Sequence, residues 1–219
     1  MSKDSSKGLV LVFDLDQTLV ATNKQIKKHL TRKRGYYREV WAPKKKPELN
    51  PELIEVLRIA LQQREKGGVY AIFLLTNNSD TVFIQRVISS LEKSLHTRNI
   101  FDAILTAEDD EPRDTPKGHT KNYSSKSIRD VYRLLNRMEK TDDAEKRYAK
   151  EDLLKRVLFF DDNPDHQIRH EMFIAGVKEQ YITITPPFMG INETPYGKVF
   201  ERLYASTPTF FPFQTLVVS

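Results

Sequence analysis

The sequence predicts an α/β fold: a central parallel sheet with helices packed on both of its faces. Two observations carry this. Apolar runs of strand type alternate with amphipathic segments of helical spacing along the chain. Three of those runs end in acidic or hydroxyl residues, at the sheet edge where open α/β folds bind ligands.

The first strand is Leu9 to Phe13, within GLVLVFDLDQTLV. It has to stop at Asp14, because a carboxylate left unpaired in a core is costly or shifts its pKa. Asn23 to Arg34 is too polar for a core helix and Tyr36 to Trp41 has the pattern of a short strand, so residues 20–50 read roughly as an inserted basic flap. Pro51 opens a helix with Leu53, Ile54, Leu57, Ala60 and Leu61 on one face, and Gly67 and Gly68 close it. Val69 to Leu75 is the second strand, ending in Thr76, Asn77 and Asn78. A helix from Asp80 to Leu95 turns Val82, Phe83, Val87, Ile88 and Leu91 inward, and Ile100 to Leu105 is the third strand. Ser124 or Ser125 caps the next helix, which buries Ile128, Val131, Leu134 and Leu135. Lys140 to Lys150 is charged enough to be an exposed extension, and Arg156 to Phe160 is a fourth strand ending in Asp161 and Asp162. Residues 185–219 are rich in proline and aromatics. They are expected to wrap the domain or to dock, since Phe210, Phe211 and Phe213 are costly to leave in water.

A chain of 219 residues fits a single domain carrying that flap and extension. Its longest apolar runs fall far short of the roughly 20 residues of a membrane helix, and the opening MSKDSSKG lacks the apolar region of a signal peptide. Cysteine is absent, which excludes disulfides and thiolate metal sites and favours an intracellular location, cytoplasm or nucleus. The net charge of +5 is uneven: Lys24 to Lys46 is strongly basic, while Glu108 to Glu111 is acidic. Such a basic segment either draws in an anionic partner or is a solvated face. Tyr36, Tyr37 and Trp41 in turn either stack on a proline or base, or pack the flap onto the domain.

Asp14, Asp16 and Thr18 alternate after the first strand, a spacing that suits chemistry at phosphorus. One carboxylate attacks, a second two residues on moves the proton, and a divalent cation neutralises the crowded negative charge. An Asp-rich turn would show the same residues. Thr76, a lysine and the pair Asp161/Asp162 supply what a turn does not need. A phosphate dianion and an attacking carboxylate repel each other until cations intervene.

In order and placement these motifs resemble the haloacid dehalogenase superfamily of phosphotransferases. DLDQT matches its first motif, LLT its second, a lysine its third and FFDDNPD its fourth, spanning Leu9 to Ile184. The resemblance implies a Rossmann-like fold with a small flap insertion and no large cap domain. It also implies that Asp14 is the nucleophile and that Asp16 is the acid and base, its backbone carbonyl also on the metal. Thr76 would bond a phosphoryl oxygen, the lysine would neutralise nucleophile and phosphoryl group, and Asp161 and Asp162 would complete an all-oxygen Mg2+ site. Thr18 and Asn77 join the lysine as substrate-binding candidates. Lys126, in YSSKSIRDV, is the chosen lysine, with Lys121 and Lys117 as rivals.

Within the superfamily the pattern is most similar to the RNA polymerase II C-terminal-domain phosphatases and their NLI-interacting-factor-like relatives, from which Gln17, TNN and Lys140 to Lys150 depart. That branch implies a phosphorylated macromolecule as partner, phosphoprotein before nucleic acid, because an open cleft selects by surface contacts. The alternatives are a phosphatase of nucleic-acid ends or small molecules, and an inactive module binding RNA or acidic protein. His166 and His170 follow the acidic pair at helical spacing, either as metal ligands or on a polar helix, while His119 and His29 have no partner set. The chain carries no Gly-x-Ser-x-Gly elbow, and its acids come in the wrong order for a phosphoacceptor receiver domain.

Overall fold

A computed structural model of the chain describes residues 8–21, 47–109 and 125–185. The basic segment of the flap with its Tyr36 to Trp41 strand, His29, Lys117, His119, Lys121, Ser124 and the extension beyond Thr185 lie outside the described residues. Strands β1 (Leu9–Phe13), β2 (Val69–Leu75), β3 (Ala103–Leu105), β4 (Val157–Asp161) and β5 (Tyr181–Thr183) form one sheet in the order β3-β2-β1-β4-β5. Every neighbouring pair is parallel.

Parallel strands need long crossovers, and here helices supply them. They are α1 (Pro51–Glu65), α2 (Thr81–Leu95), α3 (Ile128–Glu139), the short α4 (Ala144–Arg147) and α5 (Lys150–Leu154), and α6 (Gln167–Ile174). Because side chains alternate along a strand, Leu11, Phe13, Leu74 and Phe160 enter one core beneath α1 and α2. Val10, Val12, Phe73 and Phe159 enter the other, beneath α3, α5 and α6. Phe13 and Phe160 stack with ring centroids 4.5 Å apart, one strand from the next, just below the sheet edge that carries the acids.

Several elements differ from the sequence expectation for local reasons. Val82 is 59% exposed and Ile84 takes its place inward, since Asp80 caps α2 through the Phe83 N–H and so sets the helix phase. The cap of α3 is Ser127, whose N–H donates to Asp130 Oδ2 at 2.9 Å, not Ser124 or Ser125. Lys140 to Lys150 is largely exposed, as expected, but it is anchored to the domain. Ala144 is fully buried, its N–H donates to Asn136 Oδ1 at 2.9 Å, and Tyr148 Oη donates to Glu139 Oε1 at 2.7 Å. The third strand starts at Ala103, three residues later than the apolar run suggests. β5 was not foreseen, because three residues on an edge carry little pattern. No helix among the described residues is long and apolar enough to cross a membrane.

Candidate active site

The chain leaves β1 for β2 and β3 on one side, then crosses to β4 and β5 on the other. A crevice opens at such a reversal, outside the carboxyl ends of β1 and β4. The register pairs Phe13 with Phe160, and the Asp14 N–H donates to the Phe160 carbonyl at 2.9 Å. Asp14 and Asp161 therefore arrive level on adjacent strands, while Thr76 follows the end of β2 on the other flank of β1.

Lys126 joins them. Its Nζ lies 2.5 Å from Asp14 Oδ1 and 2.6 Å from Asp161 Oδ2, with the side chain 1% exposed. The residue stands in extended chain ahead of Ser127 and is held there from α6. The Lys126 N–H donates to His166 Nδ1 at 3.2 Å, its carbonyl accepts from Ile168 N–H at 2.9 Å, and Ser125 Oγ accepts from Gln167 N–H at 2.6 Å. His166 is thus neither on a polar helix face nor among the candidate metal ligands: it caps α6, is buried, and sets Nε2 3.5 Å from Asp161 Oδ2. His170 is exposed on the next turn. The sequence marks His166 only by its helical spacing with His170 after the acidic pair, which does not tell it from a surface histidine.

After Asp14 the chain makes one tight turn, with Leu19 N–H on the Leu15 carbonyl at 3.0 Å and Gln17 at φ 62°. This turn carries Asp16 to Asn78, whose Nδ2 lies 3.2 and 3.0 Å from the two carboxylate oxygens. Asn78 is thus the residue of TNN seen bonded to Asp16, and Asn77 is half-buried beside Thr76. Thr76 is fully buried, and its Oγ1 accepts from Asn78 N–H at 3.0 Å. Thr18, expected on substrate, is also fully buried and braces the acidic pair instead, its Oγ1 accepting from Asp162 N–H at 3.1 Å.

Asp14, Asp161 and Asp162 each offer a carboxylate oxygen, all within 4.8 Å of one another. An all-oxygen set of this kind could hold a hard divalent cation. Burial pushes the Asp14 carboxyl up to about 7, aided by Asp161 and Asp16 and opposed by Lys126. Burial beside Asp161 likewise raises Asp162 to about 6. Burial would lower the Lys126 ammonium, but Asp14 and Asp161 outweigh it and hold it above its ordinary value.

The raised carboxyls have a sign. Folded Asp14 keeps its proton to about 7 while the unfolded chain releases it near 3.8, so without metal, stability falls as pH rises through that window. Asp162 acts in the same direction up to about 6, and Glu52, raised by burial, up to about 7. Thermal melts in EDTA are expected to drop between mild acid and neutral pH, and Mg2+ to restore the midpoint at neutral pH far more than in acid. A Mg2+ effect independent of pH would contradict this account.

The fold and site define an α/β protein with an all-parallel five-stranded sheet and a buried lysine–carboxylate centre at the sheet's carboxyl edge. No protein-family model matches the chain, and no curated protein matches it. A crystal structure of a hypothetical protein from Xanthomonas campestris is similar over 74% of this chain and 58% of that one, at 19% identity and a TM-score of 0.30. The chain thus spans little more than half of that protein's length, and at this score the likeness carries no information about activity.

Proposed function

We propose that this chain is a Mg2+-dependent phosphatase of the haloacid dehalogenase type, hydrolysing a phosphomonoester on a phosphoprotein through an aspartyl phosphate. The observation that carries this reading is the placement of Lys126 Nζ between Asp14 and Asp161, with Asp162 beside them and Asp16 and Thr76 on the flanks. Bound Mg2+ would be held by Asp14, Asp161 and Asp162 and would offset the negative charge that otherwise bars a phosphate dianion.

The chain's own residues divide the work. An Asp14 oxygen attacks phosphorus as the bond to the leaving oxygen breaks, and Asp16 gives that oxygen its proton. Asp16 then takes a proton from water, which attacks the same phosphorus; the bond to Asp14 breaks and inorganic phosphate departs. Lys126 neutralises Asp14 before attack and the phosphoryl oxygens during it. The Thr76 hydroxyl accepts from Asn78, which leaves its proton to donate to a phosphoryl oxygen.

A cleft of about 740 Å³, lined by none of the site's acids nor by Lys126 but reaching His166, favours a protein substrate over a nucleic acid. It shares His166 with the site and is lined by Arg169 and Lys178 but also by Asp165 and Glu179, with Phe173 62% exposed. A polyanion would meet both acids, whereas a peptide can use mixed charge and an aromatic contact.

The test compares rates on phosphopeptides, on 3′- and 5′-phosphorylated oligonucleotides and on an aryl phosphate. Hydrolysis with Mg2+ that EDTA abolishes, fastest on the peptides, is expected. Faster release from oligonucleotide ends would move the substrate to nucleic acid, and salt-sensitive RNA binding with no turnover would replace the enzyme with a binding module.

A further inference from the structure

We infer that Asn78 is a positioning residue for proton transfer, holding the Asp16 carboxyl in the plane from which it serves the leaving oxygen; this rests on the phosphatase reading above. The side chain is 8% exposed and its orientation is determined by its surroundings. Its Oδ1 accepts from the Asp80 N–H at 2.8 Å, so the amide oxygen has to face the start of α2 and the NH2 group has to face Asp16. That NH2 straddles the carboxylate, 3.2 Å from Oδ1 and 3.0 Å from Oδ2. A carboxyl free to rotate about its last bond spends little time in one plane, and a proton donor has to be aimed before the bond to phosphorus breaks.

The same residue meets the other side of the reaction centre. Its backbone N–H occupies Thr76 Oγ1 at 3.0 Å, while its side chain occupies Asp16. Asn78 therefore sets the spacing between the hydroxyl that would grip the phosphoryl group and the acid that would protonate the leaving group. The anchor is rigid, because Asp80 caps α2 through the Phe83 N–H at 2.9 Å. The competing role is structural, a turn at the start of α2 that needs only the Asn78 carbonyl oxygen.

Asn78→Ser separates the two roles: its hydroxyl oxygen can still accept from the Asp80 N–H, and it is too short to donate to Asp16. Asn78→Ala removes both. The readout is kcat/KM on an alkyl phosphate, whose leaving oxygen needs a proton, divided by kcat/KM on 2,4-dinitrophenyl phosphate, whose leaving group does not. This ratio is independent of how much protein has folded, and kcat/KM reports the step in which the leaving group departs. Both variants are expected to lower the ratio by up to about 100-fold, and Asp16→Asn by at least as much. An unchanged ratio in both variants, or a lowered ratio in Asn78→Ala alone, overturns the inference and leaves Asn78 a turn residue. A wild-type protein inactive on both substrates, or an Asp16→Asn variant with an unchanged ratio, overturns the phosphatase reading itself.

Discussion

Lys126→Met is expected to destabilise the protein by about 3 kcal/mol at neutral pH and to abolish turnover. The lysine is 1% exposed and is the charge partner of both Asp14 and Asp161. Methionine fills much of the same volume, so the loss is chiefly electrostatic: Asp14, Asp16, Asp161 and Asp162 stay crowded together without their cation. Removing one partner of a buried pair costs more than the pair contributes, because the orphaned charge remains desolvated. Two measurements isolate this cause. Urea melts in mild acid are expected to recover much of the loss, since Asp14 and Asp162 take up protons there, and Lys126→Met with Asp14→Asn is expected to be more stable than Lys126→Met alone. A loss of equal size at every pH would mark a packing defect instead.

Asp14→Asn is expected to do the opposite to stability while destroying activity. Burial already holds the Asp14 carboxyl up near about 7 in spite of Lys126, so its ionised form strains the metal-free fold at neutral pH. Asparagine keeps the shape and one oxygen for Lys126 and removes the charge. The thermal midpoint in EDTA at neutral pH is expected to rise by several degrees, a gain on the order of 2 kcal/mol. Turnover is expected to fall by at least about 1,000-fold, because in the proposed mechanism Asp14 is the nucleophile. Near-normal turnover in this variant would remove the aspartyl-phosphate mechanism. A lowered midpoint would show instead that Lys126 depends on Asp14 for its own place in the core. Stability gained at the expense of function is the expected signature of a site whose charges are arranged for a ligand.

Much of this architecture was legible because the strands are buried on both faces. A run such as Val69 to Leu75 cannot carry charge, so its end is marked by the first polar residue, Thr76, and the same logic places Asp14 and Asp161. The longer helices were legible in existence and less so in phase, while the short α4 and α5 had no legible pattern. The inward face of α2 depends on Asp80 as its cap, and one residue of rotation exchanges Val82 for Ile84. Lys140 to Lys150 reads as a charged exterior because its anchorage rests on one small buried residue, Ala144, and on the Tyr148 hydroxyl bonded to Glu139.

The sequence by itself determined the class of fold, the order of the first four strands along the chain and the residues that stand at their carboxyl ends. These follow from local rules: apolar runs are buried, carboxylates stop them, and parallel neighbours need helical crossovers. Only the tertiary structure decided which residues meet. Lys126 lies 112 residues from Asp14 and 35 from Asp161, and Asn78 lies 62 from Asp16, separations at which no periodicity carries a signal. His166 could not be told from a surface histidine until α6 laid its first turn against the chain around Lys126. A charge is recognised as paired or orphaned only when its neighbours in space are known, and those are chosen by strand register and helix docking rather than by spacing along the chain.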